Sequence, residues 1–338
     1  MSEPVIGLID PRRQGLPEIL DEAEGLARER FGARASSALL KRWRSMIEVG
    51  TGLALLKGSD CVGMVLYSTE YELGFSSLLS PSSANRLPRS ATIAACYVLK
   101  QARDNSSESE GALLKSAVAR LKADKSIETI AVQTPPLYRL KLDGLLARMG
   151  FMNCERVRME RKLSERLSYG SAPPGCKVEP PTLEDADSLM SVIYQGYFSE
   201  IDGYLFPDIA AVCSDSALFT EFLGGESIDR SASVIARVRG LAAGGVIALS
   251  DKGSRVGLIG VVVVAPTMRR RGIGRFMLLD VLRRLKAKHH ERAALAVTVE
   301  NRPAHALYSS LGFEEIGARK VVSVWRRSVS RPIMNFWP

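Results

Sequence analysis

The chain has 338 residues, which is enough for about two domains of ordinary size. Its residues are 46% hydrophobic and 25% charged, its net charge is +9, and no apolar run approaches the 18 residues or so of a membrane-spanning helix. The N-terminus also lacks the basic and apolar segments of a signal peptide, so we expect a cytoplasmic protein with no membrane partner.

The first half is predicted to mix strands and helices around two polar loops. Val5 to Ile9 suggests a short strand, and the loops cover 68–90 and 101–110. Apolar periodicity predicts helices near 19–31 and at 37–47, 111–123 and 140–149, and strands at 50–56, 61–67, 91–99, 129–133 and 155–162.

A Ser-, Pro- and Gly-rich linker at 164–175 then separates two predicted domains, 1–163 and 176–327, with a tail at 328–338. Thr182 is the expected N-cap of a helix, with Asp185 three residues on in the position of a capping box. The second half is predicted to contain strands at 177–179, 232–239, 242–249, 255–264, 293–299 and 320–325, and helices at 182–194, 207–222, 272–288 and 303–311.

The stretch 261–285 combines a β-branched strand, a turn rich in arginine and glycine, and the start of a helix. Backbone N–H groups at a helix start lack internal partners and carry partial positive charge, so they bind phosphate. Gly272 and Gly274 allow a close approach of the backbone to a ligand. Fixed positive charge in this turn comes from Arg269, Arg270, Arg271 and Arg275.

The net charge is concentrated near this turn. Residues 269–292 contain nine Lys or Arg and two Asp or Glu. A compact polyanion such as a nucleotide cofactor explains this concentration at least as well as a nucleic acid, and aromatic residues are scarce among the basic ones. We therefore expect no nucleic-acid partner.

Cysteine and histidine spacing does not predict a metal site. The three histidines do not fall at ligand spacing with the cysteines, and no Cys-x-x-Cys occurs. Reduced thiols are expected for all five cysteines, namely Cys61, Cys96, Cys154, Cys176 and Cys213.

The two halves repeat one order of elements. The segment LLARMGF ends at Phe151 and LYSSLGF ends at Phe313, 162 residues later. Gly111 and Gly274, each near the start of a predicted helix, are 163 residues apart. Two anchors at nearly one offset indicate a tandem duplication.

Residues 176–327 resemble the GCN5-related N-acetyltransferases (GNAT). The central motif of that family, Arg/Gln-x-x-Gly-x-Gly/Ala after a strand, is matched by residues 269–274. The downstream family pattern is matched by Asn301, Ala306, Leu307, Tyr308, Gly312 and Phe313. The resemblance implies an α/β (α+β) protein of two GNAT-like domains, each a mixed, mostly antiparallel sheet flanked by helices, with a degenerate N-terminal copy.

The resemblance also implies acetyl-CoA, or another acyl-CoA, as co-substrate. Its pyrophosphate would lie on the amides of the turn, and its pantetheine arm would pair with the preceding strand near Val262, Val263 and Val264. Asn301 would contact the arm or fix the strand end. The turn residues implied in cofactor binding are Arg269, Arg270, Arg271, Gly272, Ile273, Gly274 and Arg275.

The implied reaction is direct attack of an amine on the thioester, with Tyr308 as the acid that protonates the departing thiolate. A backbone amide near 262–264 would polarise the thioester carbonyl. Many family members carry a glutamate base on the strand before the motif, and 255–264 has no carboxylate. The base could be Glu300, a water chain, or none if the amine arrives neutral.

The segment 194–206 could form the acceptor pocket or a helix with core aromatics. In the pocket interpretation, Glu200 and Asp202 attract a cationic amine and Tyr197, Tyr204 and Phe206 form the walls. The expected acceptor is a primary amine of a small molecule. A protein amine, acyl-CoA decarboxylation, O-acylation and a non-catalytic CoA-binding role remain alternatives.

The N-terminal half lacks the motif. Aligned on Gly111, Ser106 and Ser109 replace Arg269 and Gly272, and Leu146 replaces Tyr308. Glu108 and Glu110 add negative charge, which repels diphosphate. We therefore expect one acyl-CoA site, in the C-terminal half, with the oligomeric state open.

Overall fold

A computed structural model describes residues 4–69, 78–102, 108–133, 142–164, 171–198, 200–250 and 253–327. The strands are β1 (Val5–Leu8), β2 (Gly52–Lys57), β3 (Asp60–Ser68), β4 (Arg89–Val98), β5 (Ile127–Val132), β6 (Met152–Lys162), β7 (Cys176–Glu179), β8 (Val234–Val238), β9 (Leu241–Leu249), β10 (Val256–Val264), β11 (Arg292–Thr298) and β12 (Glu314–Arg326). The α-helices are α1 (Leu16–Phe31), α2 (Ala33–Glu48), α3 (Pro81–Ala84), α4 (Glu108–Ala123), α5 (Asp143–Arg148), α6 (Ala186–Phe198), α7 (Ile201–Leu205), α8 (Pro207–Val212), α9 (Ser216–Gly224), α10 (Ile273–Ala287) and α11 (Arg302–Ser310).

The described residues form two compact units. The first unit comprises those within Met1–Glu72, Pro88–Asn153 and Val321–Val329. The second comprises those within Leu73–Leu87 and Cys154–Lys320. The domain boundaries expected from the sequence follow chain order and stay a prediction.

In the first unit the strand order is β1-β2-β3-β4-β5, followed by the end of β12. Neighbouring strands are antiparallel except β4 and β5, which are parallel. Helix α4 buries Leu113, Ala117 and Leu121 in the same core as Val65 and Ile93 of the sheet. Helices α1 and α2 cover a second core that includes Trp43 and Tyr97.

In the second unit the order is β6-β11-β10-β9-β8-β7. Here β10 and β11 are parallel and the other pairs are antiparallel. Helix α10 buries Met277, Leu278 and Leu282 in one core with Val234 and Val246. Two mixed, mostly antiparallel sheets flanked by helices confirm the predicted fold class.

Each sheet contains a strand from the other half of the sequence. β6 precedes the predicted linker but pairs with β11, with Arg156 opposite Thr298. The end of β12 pairs with β5, with Ser323 opposite Val132. A cut at the linker would therefore remove one strand from each sheet. Binding experiments should use the intact chain for this reason.

Two predictions about helices are wrong in detail. The single helix expected at 207–222 is interrupted, because Asp215 caps the start of α9 by accepting from the N–H groups of Ala217 (3.0 Å) and Leu218 (3.1 Å). The loop expected at 101–110 ends earlier, because α4 already begins at Glu108, where acidic residues favour a helix start. The expected capping box is confirmed, with the Thr182 N–H 2.7 Å from the Asp185 carboxylate.

Helix α6 packs tightly against β10 at Gly196. A Cβ at this glycine would lie 2.1 Å from Cγ2 of Val263, a buried β-branched side chain with little freedom to move. We expect Gly196→Ala to destabilise the second unit by about 1–3 kcal/mol, although alanine is favoured over glycine within a helix by about 1 kcal/mol. The midpoint of urea unfolding measures the effect.

Gly224→Ala is the matched control, since its Cβ would meet Leu183 Cδ2 at an ordinary 3.5 Å in the same unit. Its midpoint should stay close to that of the unchanged protein. An equal or higher midpoint for Gly196→Ala would contradict the predicted clash.

Candidate acyl-CoA site in the second unit

The turn between β10 and α10 presents a row of free backbone donors. Arg270 and Gly272 are both left-handed, with φ of 63° and 78°, and Gly272 is the N-cap of α10. In the described part of the chain, the N–H groups of residues 270–275 have no hydrogen-bond partner. Left-handed residues in such a turn direct N–H groups into a concavity that binds anions, and the helix dipole adds to the attraction.

The four arginines of the turn have different surroundings. Arg270 and Arg271 are exposed and have no hydrogen bond to the described residues, so their charges are available to a phosphate. Arg269 instead binds the Glu200 carboxylate (2.5 Å) and the Gly196 carbonyl (3.2 Å). Arg275 donates to the Ser310 hydroxyl at 3.1 Å.

The strand before the turn has an open edge. β10 pairs with β9 as far as Val264, but its parallel pairing with β11 ends at Ile259 opposite Leu295. A register shift follows at Gly260, and among the described residues no strand pairs with the β11 side of 260–264. An extended ligand can pair with such an edge through backbone hydrogen bonds.

Gly274 lies where this strand, the turn and α11 meet. A Cβ at Gly274 would lie 3.4 Å from Val264 of β10 and 3.3 Å from Leu307 of α11. Tyr308, the residue after Leu307, is 7% exposed and shares a core with Ile273 at the start of α10. The cradle, the open strand edge and the helix that carries Tyr308 are thus adjacent.

A polar cluster surrounds the Asp202 carboxylate. Its Oδ1 accepts from the hydroxyl of Thr298 (2.6 Å) and from Nη1 of Arg156 (3.4 Å). Its Oδ2 accepts from Nδ2 of Asn301 (2.9 Å). Asn301 also caps α11 by accepting from the Ala304 N–H at 3.3 Å. The cluster therefore joins β6, α7, β11 and α11.

Two tyrosine hydroxyls lie within the electrostatic influence of this cluster. Burial raises the pKa of Tyr308 above its usual value of 10.0, and the nearby Asp202 carboxylate adds to the increase. The pKa of Tyr197 is raised by burial, by Asp202 and by Tyr308. Both phenols are thus protonated at neutral pH. Neither hydroxyl has a hydrogen bond to the described residues, which leaves their protons free for a ligand.

The remaining predicted site residues have partners of their own or lie within the core. Glu300 accepts a hydrogen bond from the Glu155 backbone N–H at 3.2 Å. Tyr204 is buried at the end of α7, and Phe206 packs under the Arg156 guanidinium, 4.6 Å from its ring centre. The segment 194–206 therefore combines helix and core aromatics with the polar cluster at Asp202.

Arg156 and Thr298 were not among the residues expected in the site. Thr298 lies next to the end of a predicted strand, a position with no chemical signature of its own. Arg156 lies on β6, and the sequence predicts neither that β6 pairs with β11 nor that its arginine faces Asp202. Alternating charged residues in β6 indicate only an exposed strand face.

The region of the first unit that corresponds to the turn and to β10 is less accessible to a ligand. β4 and β5 are parallel, as β10 and β11 are, and their pairing likewise ends before the end of the first strand, at Ile93 opposite Val132. However, β4 is buried from Ser90 to Val98, and Glu110 in the first turn of α4 is only 1% exposed. Leu146, aligned with Tyr308, is buried, and Ser106 lies outside the described residues.

Within the described ranges, no helix is long and apolar enough to cross a membrane, and no three His, Cys, Asp or Glu residues group as metal ligands. All five cysteines are buried free thiols. Burial raises the pKa of Cys154 and of Cys213 to about 12 in each case, so both remain protonated.

Comparisons with known proteins converge on one family. The model of the acetyltransferase (GNAT) family matches residues 199–313, which include Asp202, Thr298 and Asn301 of the polar cluster, the glycine turn and Tyr308, but not Arg156. No curated protein matches the sequence of the chain.

Solved structures resemble the chain over nearly its whole length. A GCN5-related N-acetyltransferase from Sphaerobacter thermophilus is 14% identical with a TM-score of 0.60, over 97% of this chain and 98% of that one. A tandem GNAT protein from the clavulanic acid biosynthesis pathway is 15% identical with a TM-score of 0.50, over 97% and 100%. At these identities the likeness is one of fold.

Proposed function

We propose, on the premise that residues 199–313 belong to the acetyltransferase (GNAT) family within a tandem GNAT fold, that the chain is an acyl-CoA-dependent N-acyltransferase. Its co-substrate is acetyl-CoA or another acyl-CoA, and its acceptor is a primary amine of a small molecule. The single observation that carries the proposal is that an N–H cradle, an open strand edge and a protonated tyrosine lie on adjoining elements.

Each part of the cofactor has a counterpart in this arrangement. The pyrophosphate would lie on the free amides of 270–275, with Arg270 and Arg271 beside it. The pantetheine arm would pair with the open edge at Val262 to Val264. The thioester would then lie between that edge and Tyr308, where the end of β11 diverges from β10.

The chemistry is a direct acyl transfer. The amine nitrogen attacks the thioester carbon, the carbon–sulfur bond breaks with its electron pair going to sulfur, and Tyr308 donates its proton to the thiolate. The amine must lose a proton. Asp202 is the better placed carboxylate to receive it, because its partner Asn301 caps the helix that carries Tyr308 and its Oδ2 accepts only that one hydrogen bond from the described residues.

Release of free CoA thiol from acetyl-CoA, measured with the intact chain and a panel of small amines, tests the proposal. We expect release to depend on the added amine and to show saturation. Release from malonyl-CoA without any amine would instead indicate decarboxylation. Tight CoA binding without release on any amine would indicate a non-catalytic binding protein.

A further inference from the structure

The two acidic residues expected to attract a cationic amine are already paired with arginines. Glu200 is bound by Arg269 at 2.5 Å, and Asp202 is bound by Arg156 at 3.4 Å. The cluster near Tyr308 therefore presents one fixed negative and one fixed positive group. A plain ammonium ion would be attracted to Asp202 and repelled by Arg156 at similar distances, so the two effects would largely cancel.

The Arg156 guanidinium is held in place but not saturated. Its Nη1 donates to the Thr298 hydroxyl at 2.9 Å and to Asp202, and its plane covers the Phe206 ring. Its Nη2 makes one long contact, 3.5 Å to the Ala296 carbonyl, and its Nε–H has no partner among the described residues. Nε and Nη2 form one edge of the guanidinium, and such an edge binds a carboxylate through two parallel hydrogen bonds.

Asp202 also has capacity for another donor. Its Oδ2 accepts one hydrogen bond, from Asn301, and a carboxylate oxygen has two lone pairs. The side chains of Asp202 and Arg156 are 15% and 20% exposed, so both are recessed yet accessible to a small group. Adjacent, partly desolvated charges of opposite sign match a ligand that carries both signs.

We propose that the acceptor is an amino acid or a similar zwitterion, whose ammonium group binds Asp202 and whose carboxylate binds the Nε and Nη2 edge of Arg156. This inference rests on the proposed function and names the substrate class for the same site. Arg156 is the specificity-determining residue, and it lies on β6, the strand that precedes the linker. The first half of the sequence thereby contributes a substrate contact to the site in the second unit.

Matched acceptor pairs test the substrate class. Free CoA thiol is measured with the intact chain, acetyl-CoA, and each proteinogenic amino acid alongside its carboxamide, which keeps the ammonium and loses the negative charge. The amino group of an amino acid amide is less basic than that of the amino acid, so more of it is unprotonated at a given pH. Each rate is therefore divided by the fraction of unprotonated amine. We expect kcat/KM for the preferred acid to exceed that for its amide by about tenfold or more, the effect of a charge-assisted hydrogen bond.

The variant Arg156→Gln tests whether Arg156 binds the carboxylate of the acceptor. It should bring the acid-to-amide ratio close to one by lowering kcat/KM for the acid more than for the amide, whereas a merely structural loss would lower both values alike and leave the ratio unchanged. Arg158→Gln is the control, because Arg158 lies on the same strand and pairs with Glu160 at 2.8 Å. Arg156→Lys keeps the positive charge but loses the two parallel donors of the guanidinium, so it should retain part of the preference for acids over amides. This variant also tests the role of Arg156 if Arg156→Gln does not fold.

The outcomes separate this inference from the proposed function. Equal rates on acids and amides would overturn the zwitterion proposal and leave N-acyl transfer standing. An acid preference that survives in Arg156→Gln would overturn the role of Arg156. Absence of release with every acid and amide would overturn the zwitterion proposal alone, whereas absence of release with the whole panel of small amines would overturn N-acyl transfer as well.

Discussion

Tyr308→Phe is expected to lower kcat by about a hundredfold or more, the usual range for removing a general acid, while the Kd for CoA stays nearly unchanged. The hydroxyl is the only difference between the two side chains. It has no hydrogen bond to the described residues, so its removal leaves the packing of α11 intact. The loss should therefore appear in the chemical step.

The pH dependence gives this prediction a second test. Burial and the Asp202 carboxylate raise the pKa of Tyr308 above 10.0, so the acid form persists to higher pH than in a free tyrosine. An acid contributes while it is protonated, and its contribution is lost only above its pKa. The unchanged protein should thus show no alkaline fall in kcat attributable to Tyr308 up to about pH 10.

Steady-state thiol release between pH 6 and pH 10 measures both effects. Tyr194→Phe is the control, since Tyr194 lies exposed on α6 and its ring stacks on that of Phe198, with 5.1 Å between the ring centres. It should keep the full rate. A Tyr308→Phe protein with the full rate across this range would remove Tyr308 from the mechanism.

Gly272→Glu is expected to abolish CoA binding. Its φ of 78° lies in the left-handed region, where a side chain adds about 1–2 kcal/mol of strain. The new carboxylate would also lie at the N–H groups of 270–275 and compete with the diphosphate, and its charge would repel the ligand. The backbone strain and the added negative charge should therefore both weaken CoA binding.

Two further variants separate these causes. Gly272→Ala adds the strain without the charge, and its Cβ would have open space, with Pro173 3.8 Å away, so binding should weaken but persist. Gly240→Glu places the same charge on another left-handed glycine, φ 83°, in the turn between β8 and β9. Gly240→Glu should leave CoA binding unchanged.

Isothermal titration calorimetry on the intact chain measures all three variants. We expect one CoA per chain in the unchanged protein and no detectable binding in Gly272→Glu, because β4 of the first unit is buried where β10 of the second is accessible. Micromolar binding retained by Gly272→Glu would refute the assignment of the turn, and two CoA molecules per chain would place a second site elsewhere.

The sequence predicted the parts of the site that depend on local chain conformation. Gly272 precedes a helix and occupies a left-handed position, so both the glycine and its location follow from neighbouring residues. Tyr308 follows from its spacing within the family pattern. The positions of the strands and helices follow from apolar periodicity, and the duplication follows from the repeated order of elements. The mixed, mostly antiparallel sheets are what the resemblance to the GNAT family implies.

The parts that depend on distant pairing could not be predicted. Arg156 faces Asp202 only because β6 pairs with β11, and nothing in the sequence of β6 specifies that partner. The partner of Arg269 could not be predicted either, because its guanidinium can bind a phosphate or a carboxylate. The position of α7 brings Glu200 within hydrogen-bond distance of it. Such choices are made by tertiary packing.

The most direct test of acyl transfer is the mass of the product. Intact protein is incubated with acetyl-CoA that carries deuterium in its acetyl group, together with the amine that gives the fastest thiol release. We expect one deuterated acetyl group on the amine nitrogen, formed in an amount equal to the CoA released and at a rate about a hundredfold or more lower in Tyr308→Phe. CoA release with no labelled amine, or a label on oxygen, would contradict N-acyl transfer.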